Sequence, residues 1–409
     1  TLTICMTACL GFFLLAIQEN EPRKGLNYYL FYVFSALAVL AKGLIGFVLP
    51  GAIIFCFLLI TRRWRMLREM RLVTGILLFL LICAPWFILV CLRNPEFARF
   101  FFIHEHFERF LTKVHGRYQP PWFFIPVLFG VMLPWSFFIP SAITRVWQQR
   151  KETGADTRLF LLLWAAVIFA FFSKSDSKLV PYILPVYPAL ALLLGSTLVA
   201  ALDCGFASLK KPALVLSAVH IVLGIGSMAY PHLSRDPKIS ATGGMIMGGL
   251  LCLLGLVALI NTIRSKTAPL FAGLAITALL VGVFVPPVIY ARIAQYKTVR
   301  ELGLLVKEKA GRDAVVATFG YAQGLPFYAQ RRVILVGDRN ELEFGSRQGD
   351  QSGWFIERPQ FDQLWAGPAP VFALMSLSDL ESFQKTSQPP PTLLGKAGRR
   401  ALITNQPGP

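Results

Sequence analysis

Residues 93–122 read RNPEFARFFFIHEHFERFLTKVHGRYQPPW, and this charged stretch lies between two long apolar segments, 72–92 and 122–143. It holds three of the chain's five histidines, among them His104 and His106. An apolar run of about 20 residues is long enough to cross a bilayer. The pattern therefore predicts a membrane chain in which a charged connection between two spans carries the chemistry.

Composition supports a membrane protein. The chain has 409 residues, of which 55% are hydrophobic and 15% charged, whereas an ordinary soluble domain has roughly 25% charged residues. Lys and Arg number 40 against 22 Asp and Glu. In a protein with many spans such an excess is assigned to basic cytoplasmic loops, so no nucleic-acid partner is predicted. The seven cysteines match neither a disulfide framework nor a zinc ribbon.

Ten apolar segments are long enough to be candidate spans. They cover residues 2–17, 26–41, 43–60, 72–92, 122–143, 158–173, 180–201, 212–230, 242–263 and 268–289. Charged residues before position 290 are assigned to the connections, with Lys42 at a break between two segments. Proton and ion pumps need ionisable groups buried at mid-membrane. The sequence predicts no such group, which argues against a pump.

The loop charges predict the orientation of the chain. Fifteen Lys or Arg occupy alternate connections, and these are expected to be cytoplasmic. They are residues 18–25, 61–71, 144–158, 202–211 and 264–267. Lys42, the 93–122 loop, the 173–178 loop and everything after the last span are then expected on the outer, periplasmic face.

The composition changes after Pro286 and Pro287, which divides the chain into a transmembrane part, 1–290, and a polar part, 291–409. In the polar part a helix-like stretch alternates with short β-branched runs, which predicts a small soluble α/β domain. The helix is expected at 299–309 and the strands at 314–318, 332–336, 370–374 and 401–404. The Gly320 to Gly324 spacing does not fit dinucleotide binding, so no nucleotide cofactor is predicted.

The first candidate constellation is His104, Glu105, His106, Glu108 and Arg109. On a helix, residues three and four apart share a face. His104 and Glu108 are then candidate metal ligands or an acid and base pair. The alternative is the charged face of an interfacial helix that keeps its polar groups at the lipid head groups. Both remain open, since a zinc site usually has three or four ligands.

A second constellation lies in the stretch FSKSDSKLVPY, residues 172–182. Lys174 and Lys178 with three serines make a compact set of donors suited to phosphate, and Tyr182 adds a hydroxyl. Lys42 is a lone cation at an outer turn, which suggests an anionic partner. The alternatives are a polar turn with interfacial anchors and a snorkelling lysine. A membrane-embedded, lipid-linked phosphate is the ligand that accounts for all these groups.

Four ordered motifs resemble those of a known family. They are KG at 42–43, FFxxEHFERF at 101–110, PPWFFIPVLFGVMLPW at 120–135 and SKLVPYILPVYPALA at 177–191. They resemble the bacterial 4-amino-4-deoxy-L-arabinose transferases that modify lipid A, within the wider protein O-mannosyltransferase (GT-C) superfamily. The resemblance covers residues 1–290 and extends to the C-terminal domain only in position and type.

That resemblance implies a multi-span α-helical integral membrane protein of GT-C type with a C-terminal soluble α/β domain. It implies a glycosyltransferase of the bacterial inner membrane that uses a polyprenyl-phosphate sugar, such as one on undecaprenyl phosphate. The acceptor would be lipid A or another periplasmic molecule, and the C-terminal domain would be periplasmic.

The resemblance also implies a metal site and a missing segment. His104 matches a family zinc ligand, with His106 and Glu108 as further candidates, and the divalent metal would be zinc, magnesium or manganese. The family's acid-bearing catalytic loop lies ahead of Thr1, and the chain starts without Met. We therefore expect an N-terminally truncated fragment whose catalytic Asp or Glu is upstream and unidentified.

The predicted substrate-binding residues are Lys42, Arg109, Lys174, Lys178 and Tyr182. Arg109 and Tyr182 match family contacts to the donor phosphate, and Lys42 and Lys178 match family lysines. An aspartate stands at the first lysine of the family's K-x-K-L motif, which makes Lys174, two residues upstream, a candidate substitute.

Two alternatives come from other functional classes. A transporter or flippase for a lipid-linked sugar would need polar groups or broken helices at mid-membrane. A non-catalytic membrane assembly partner would explain the missing carboxylate loop.

Overall fold

The computed structural model describes residues 1–101, 119–234 and 240–407. It groups them into two compact units, residues 1–226 with 248–280 and residues 227–247 with 281–409.

The helices before residue 298 follow the apolar segments. They are α1 (Leu2–Ala16), α2 (Lys24–Lys42), α3 (Ile45–Thr61), α4 (Met66–Glu69), α5 (Leu72–Arg93), α6 (Phe124–Val131), α7 (Ile139–Gln148), α8 (Ala155–Lys174), α9 (Tyr187–Cys204), α10 (Ala207–Leu233), α11 (Ala241–Ile263) and α12 (Thr267–Lys297). Short 3₁₀ segments at Pro121–Phe123, Trp135–Phe138 and Val180–Val186 precede α6, α7 and α9.

All ten predicted apolar segments are helical. Within the described residues, seven helices are long and apolar enough to cross a membrane. The segment predicted at 122–143 is instead a pair of helices bent by 111°, and α1 and α3 are shorter apolar helices. Many apolar side chains of these helices are exposed on the surface. On α5, for example, Val73 and Leu81 are 75% and 73% exposed. The protein is therefore a multi-pass membrane protein.

Aromatic side chains hold the first helices together. Phe13 of α1 stacks on Phe160 of α8 at 5.2 Å between ring centroids, and Phe57 of α3 meets the same ring edge-on at 5.5 Å. Trp164 donates its indole N–H to the carbonyl oxygen of Pro185 at 2.8 Å. This bond ties α8 to the 3₁₀ turn that follows it. Aromatic pairs of this kind add specific geometry to the burial of apolar area.

Helix α10 corrects one expectation from the sequence. We predicted no ionisable group buried within a span, but His220 lies in the middle of α10 and is 1% exposed. Its Nδ1 lies 2.8 Å from the carbonyl oxygen of Leu216, and its ring packs 5.7 Å from that of Phe137. The prediction considered only Asp, Glu, Lys and Arg. A histidine can be accommodated because the carbonyl one turn earlier on its own helix gives it a hydrogen-bond partner.

The C-terminal domain is built on one mixed sheet. Its strands are β1 (Val315–Phe319), β2 (Ile334–Val336), β3 (Phe355–Ile356), β4 (Val371–Ser376), β5 (Thr392–Ala397) and β6 (Arg400–Thr404), in the order β3-β2-β1-β4-β6-β5. Its helices are α13 (Arg300–Lys309), α14 (Gly324–Ala329), α15 (Glu343–Ser346), α16 (Arg358–Ala366) and α17 (Leu377–Thr386). Strands β1 to β4 run parallel, and β6 pairs antiparallel with β4 and β5.

This sheet and the apolar helices confirm the predicted fold class. The four predicted strands and the predicted helix are present, and the Pro-rich stretch 388–392 is largely the loop before β5. Two strands were not predicted. Strand β3 has two residues, too few to show a period, and β5 contains Gly395 and Lys396, which are uncommon in strands. Both lie at the edges of the sheet, where composition is least constrained.

Candidate functional site

Lys42 is positioned by a sharp end to helix α2. The next residue, Gly43, has φ 81° and ψ −156°, and its N–H donates to the carbonyl oxygen of Val39 at 2.7 Å. Residues with a Cβ rarely adopt this backbone conformation, so glycine allows the chain to turn at once into α3. The exposed Lys42 side chain follows from that turn, and its Nζ lies 4.7 Å from the centroid of the Tyr182 ring.

Lys178 lies in the short connection after α8 and is almost completely buried, with 3% exposure. Its Nζ donates to the carbonyl oxygen of Gln119 at 2.8 Å and to that of Ser175. The N–H of Gln119 donates in turn to the carbonyl oxygen of Asp176 at 3.3 Å. These bonds join the residues just before the 3₁₀ turn at Pro121–Phe123 to the 175–179 connection. Two distant parts of the chain are thereby fixed to each other.

Burial also affects the pKa of Lys178. Removal from water disfavours the ammonium and lowers the pKa of Lys178, while the negative charge of Asp176 acts in the opposite direction. The ammonium has three donors, and the two carbonyls use two of them. The third donor makes no hydrogen bond with the described residues.

Tyr182 connects these parts. Its ring lies 5.3 Å from that of Phe172 at the end of α8, and its N–H donates to the carbonyl oxygen of Leu179 at 2.9 Å. The 3₁₀ segment that begins two residues after Lys178 therefore carries the Tyr182 ring, which Lys42 contacts. A cation over an aromatic face is a favourable arrangement, worth about 0.5–2 kcal/mol. The structure thus brings Lys42 and Tyr182 together and places Lys178 in the same connection as Tyr182.

Two serine hydroxyls of this region lack partners. Ser173 Oγ and Ser177 Oγ are buried and make no hydrogen bond within the part of the chain that the structure describes. Buried hydroxyls are normally paired, since an unpaired one carries a desolvation penalty. Together with the third donor of Lys178, they are polar groups that make no hydrogen bond in the described part of the chain. Such a set fits an oxyanion ligand.

Lys174 differs from the other predicted residues. It is the last residue of α8, its side chain is exposed, and it makes no hydrogen bond or ion pair with the described residues. Its proposed substitution for the missing lysine of the motif stays a prediction. His104, His106, Glu108 and Arg109 lie outside the described residues, so their roles also stay predictions.

The metal site stays a prediction, because its candidate ligands lie outside the described residues. In residues 1–101, 119–234 and 240–407, no group of three or more His, Cys, Asp and Glu side chains could hold a metal ion. The candidate ligand His104 is not among these residues.

Sequence reasoning did not identify Gln119 as part of this region. Its contribution is a backbone carbonyl, which any residue type supplies, so no pattern in the sequence could mark it. The unpartnered serines were included in the predicted donor cluster, but nothing in the sequence distinguished Ser173 and Ser177 from Ser175, whose hydroxyl donates to the carbonyl oxygen of Ser177 at 3.1 Å.

Two family models match separate ends of the chain. The aminoarabinose transferase C-terminal domain matches residues 302–405. The dolichyl-phosphate-mannose-protein mannosyltransferase model matches residues 1–89. The first match covers the sheet domain, and the second covers α1 to α4 and most of α5, including Lys42.

Curated relatives cover the middle of the chain as well. The undecaprenyl phosphate-alpha-4-amino-4-deoxy-L-arabinose arabinosyl transferase of Pseudomonas aeruginosa (strain UCBPP-PA14) is 30% identical over 325 residues, which are 78% of this chain and 58% of that protein. The enzyme of the same name from Erwinia tasmaniensis is 27% identical over 420 residues, covering 98% of this chain and 74% of that protein. The chain thus spans less than two thirds of the length of the Pseudomonas relative.

Solved structures share the fold. The crystal structure of ArnT from Cupriavidus metallidurans bound to undecaprenyl phosphate matches with a TM-score of 0.83 and 27% identity, over 99% of this chain and 74% of that one. The apo form of the same protein matches with a TM-score of 0.82 and 26% identity. Family models, curated relatives and solved structures agree, and the chain is similar to the ArnT aminoarabinose transferases in both sequence and fold.

Proposed function

We propose that this protein transfers an aminoarabinose sugar from an undecaprenyl-phosphate donor to lipid A. The relatives carry the name of that activity, and a related structure holds undecaprenyl phosphate. The observation that carries the proposal is the arrangement of Lys42, Tyr182 and Lys178 with unused hydroxyls beside them. These are the groups that a lipid-linked phosphate requires.

The donor phosphate would lie among the lysines. In the reaction an acceptor oxygen forms a bond to the anomeric carbon as the bond from that carbon to the donor phosphate oxygen breaks. Negative charge grows on the departing undecaprenyl phosphate, and fixed ammonium groups stabilise this charge more than that of the bound donor. Lys178 is suited to this because its position is held by two carbonyls. The predicted base that takes the acceptor's proton is an upstream carboxylate.

The proposed location is the bacterial inner membrane, with the α/β domain in the periplasm. The charge distribution supports this: the connections that carry Lys42 and Lys178 are poor in basic residues, and the alternate connections are rich in them. Lys42 and Lys178 would then face the periplasm, where lipid A is accessible.

The proposal is tested by replacing the lysines and measuring both transfer and binding. We expect Lys42→Ala and Lys178→Ala each to lower transfer to lipid A by at least about tenfold, since each removes a charged contact to phosphate. Lys210→Ala is the matched control, because this exposed lysine lies in the first turn of α10, in a connection predicted to be cytoplasmic. Transfer is followed by the mass of lipid A, and binding by competition with undecaprenyl phosphate.

The outcomes separate the competing functions. Loss of transfer together with loss of undecaprenyl-phosphate binding supports a donor site in an enzyme. Wild-type transfer in both lysine variants would remove the proposed donor site. A protein that binds undecaprenyl phosphate through these lysines but transfers no sugar at all would instead be a transporter or an assembly partner.

A further inference from the structure

A cavity lies at the end of helix α2 opposite Lys42. Its volume is about 550 Å³, and its lining combines the polar side chains of Arg68, Arg71, Tyr29 and Thr74 with the apolar ones of Leu67 and Val73. It lies where α2 and α5 both begin. The groups of the donor site take no part in it, because Lys42 is the last residue of α2.

The guanidinium of Arg71 is held in place by its neighbours. It lies 5.4 Å from the centroid of the Tyr29 ring and donates to the Tyr29 hydroxyl at 3.3 Å. That hydroxyl also lies 3.1 Å from Thr74 Oγ1. A Cβ at Gly25 would be 3.1 Å from Nη2 of Arg71, so glycine leaves room for the guanidinium. Arg71 itself has φ 51° and ψ 45°, a conformation unfavourable for a residue with a Cβ.

Positive charge is concentrated at the cavity. Five arginines lie between residues 61 and 71, and among the described residues only Arg63 of these has an acidic partner, Asp156. The nearby carboxylate of Glu69 pairs with Lys24 instead. Arg68 and Arg71 therefore face the cavity without an acidic partner in the described part of the chain. An arginine pair with no carboxylate is suited to a phosphate group, because guanidinium donors match its oxygens.

The length of α2 indicates where the cavity lies relative to the membrane. The helix has 19 residues, which at 1.5 Å per residue is about 28 Å, close to the roughly 30 Å of a bilayer's hydrocarbon core. Lys42 at one end and the cavity at the other thus lie at opposite membrane boundaries. Beside the cavity, Val73 and Leu77 of α5 are 75% and 61% exposed. This exposed apolar face is suited to acyl chains rather than water.

We propose that this cavity binds the phosphate head group of an anionic phospholipid in the leaflet opposite the donor site. Arg68 and Arg71 contact the phosphate, the hydroxyls of Tyr29 and Thr74 orient Arg71, and the acyl chains lie along α5. Free inorganic phosphate has the same charged oxygens but makes no use of the apolar face. The combination of arginines with exposed apolar helix surface favours the lipid.

The test measures lipid binding to the full chain in detergent by native mass spectrometry. Phosphatidylglycerol is the anionic probe and phosphatidylcholine the zwitterionic one. The variant is Arg68→Gln with Arg71→Gln. The matched control is Arg62→Gln with Arg65→Gln, which removes the same charge from the same connection but outside the cavity lining.

We expect the cavity variant to bind phosphatidylglycerol at least about tenfold more weakly, because two charge-assisted contacts are lost. The control should keep its affinity within about threefold, since exposed charges outside the site are screened by salt. Equal weakening in both pairs, or none in the cavity pair, overturns the proposal. Displacement of the lipid by inorganic phosphate in millimolar excess would assign the site to free phosphate and also overturn it.

A milder variant keeps the test decisive if the double variant does not fold. Tyr29→Phe retains the ring under Arg71 but removes the hydroxyl to which Arg71 donates. We expect phosphatidylglycerol to bind measurably more weakly, with phosphatidylcholine unchanged and the melting temperature close to that of the unmodified protein. Unchanged phosphatidylglycerol affinity in Tyr29→Phe would overturn the assigned role of Arg71.

Discussion

Replacing Lys178 by methionine removes the buried ammonium and keeps a flexible side chain of similar length. The lysine is 3% exposed and donates to the carbonyls of Gln119 and Ser175. Loss of one fixed donor to a developing anionic charge typically lowers kcat about 10²–10³-fold, and we expect a loss of this size in sugar transfer. KM should rise less than kcat falls, because the contact strengthens as the bond to phosphate breaks.

The same change has a cost in stability. Each hydrogen bond to a charged group contributes about 1.5–3 kcal/mol, and two carbonyls lose their donor. Removal of a buried charge relieves its desolvation, which offsets part of this loss. We therefore expect a net destabilisation of about 1–3 kcal/mol, seen as a lower melting temperature.

Transfer is measured by the mass of lipid A with an undecaprenyl-phosphate sugar as donor. Unchanged kcat and melting temperature in Lys178→Met would refute the role of Lys178.

The dependence of transfer on pH gives an independent check. Burial lowers the pKa of Lys178, and the charge of Asp176 opposes this only in part. Stabilisation of the leaving phosphate needs the protonated ammonium, so transfer should decline as pH rises through the lowered pKa. This decline begins below the pH at which an exposed lysine loses its proton. Lys178→Arg should move it to higher pH, since a guanidinium stays charged. An unmoved profile would contradict the assignment.

Three further predictions concern single contacts. Tyr182→Ala should reduce kcat/KM more than Tyr182→Phe, because only alanine removes the ring that Lys42 contacts at 4.7 Å, worth about 0.5–2 kcal/mol; equal effects would count against this contact. Gly75→Ala should lower the melting temperature, since its Cβ would lie 2.0 Å from a tyrosine ring of α2 and overpacking costs about 1–3 kcal/mol. The control Gly51→Ala, with nothing within 4 Å of its Cβ, should be neutral or stabilising. Asn405→Ala should destabilise the α/β domain by about 2–4 kcal/mol, because the buried amide makes three hydrogen bonds to backbone groups. The measurement is hydrogen exchange of the sheet amides, and exchange as slow as in the unmodified protein would contradict this prediction.

Packing of the helices was less accessible from the sequence than their existence. Residues 122–143 were predicted as one span. The structure instead has two helical stretches, Pro121–Val131 and Trp135–Gln148, with a bend of 111° between them. Pro134 lies at the break between the two helices, but a hydropathy pattern shows only the run of apolar residues and not the angle between its two parts. His220 was missed for a different reason, since the prediction counted only Asp, Glu, Lys and Arg as ionisable groups within the spans.

The candidate site, too, was predicted only in part from the sequence. The serine and lysine cluster at 173–178 and the lone Lys42 were identified from residue type and position. That Lys178 would be buried and Lys174 exposed was not foreseen. The two lysines are four residues apart, but α8 ends at Lys174 and the following residues are extended or turned. The helical rule for residues four apart therefore does not apply between them.

Hydrophobic run length, loop charge and β-branched runs by themselves determined that this is a multi-pass helical protein with an α/β domain. Those properties follow from the free energy of transferring each segment from water to an apolar medium. This free energy depends on the composition of the segment itself. Tertiary structure alone decided that Lys42 would meet Tyr182, that Gln119 would hold Lys178 and that Arg71 would lie over Tyr29. Such contacts join residues that are far apart along the chain, and they depend on how whole helices pack and turn.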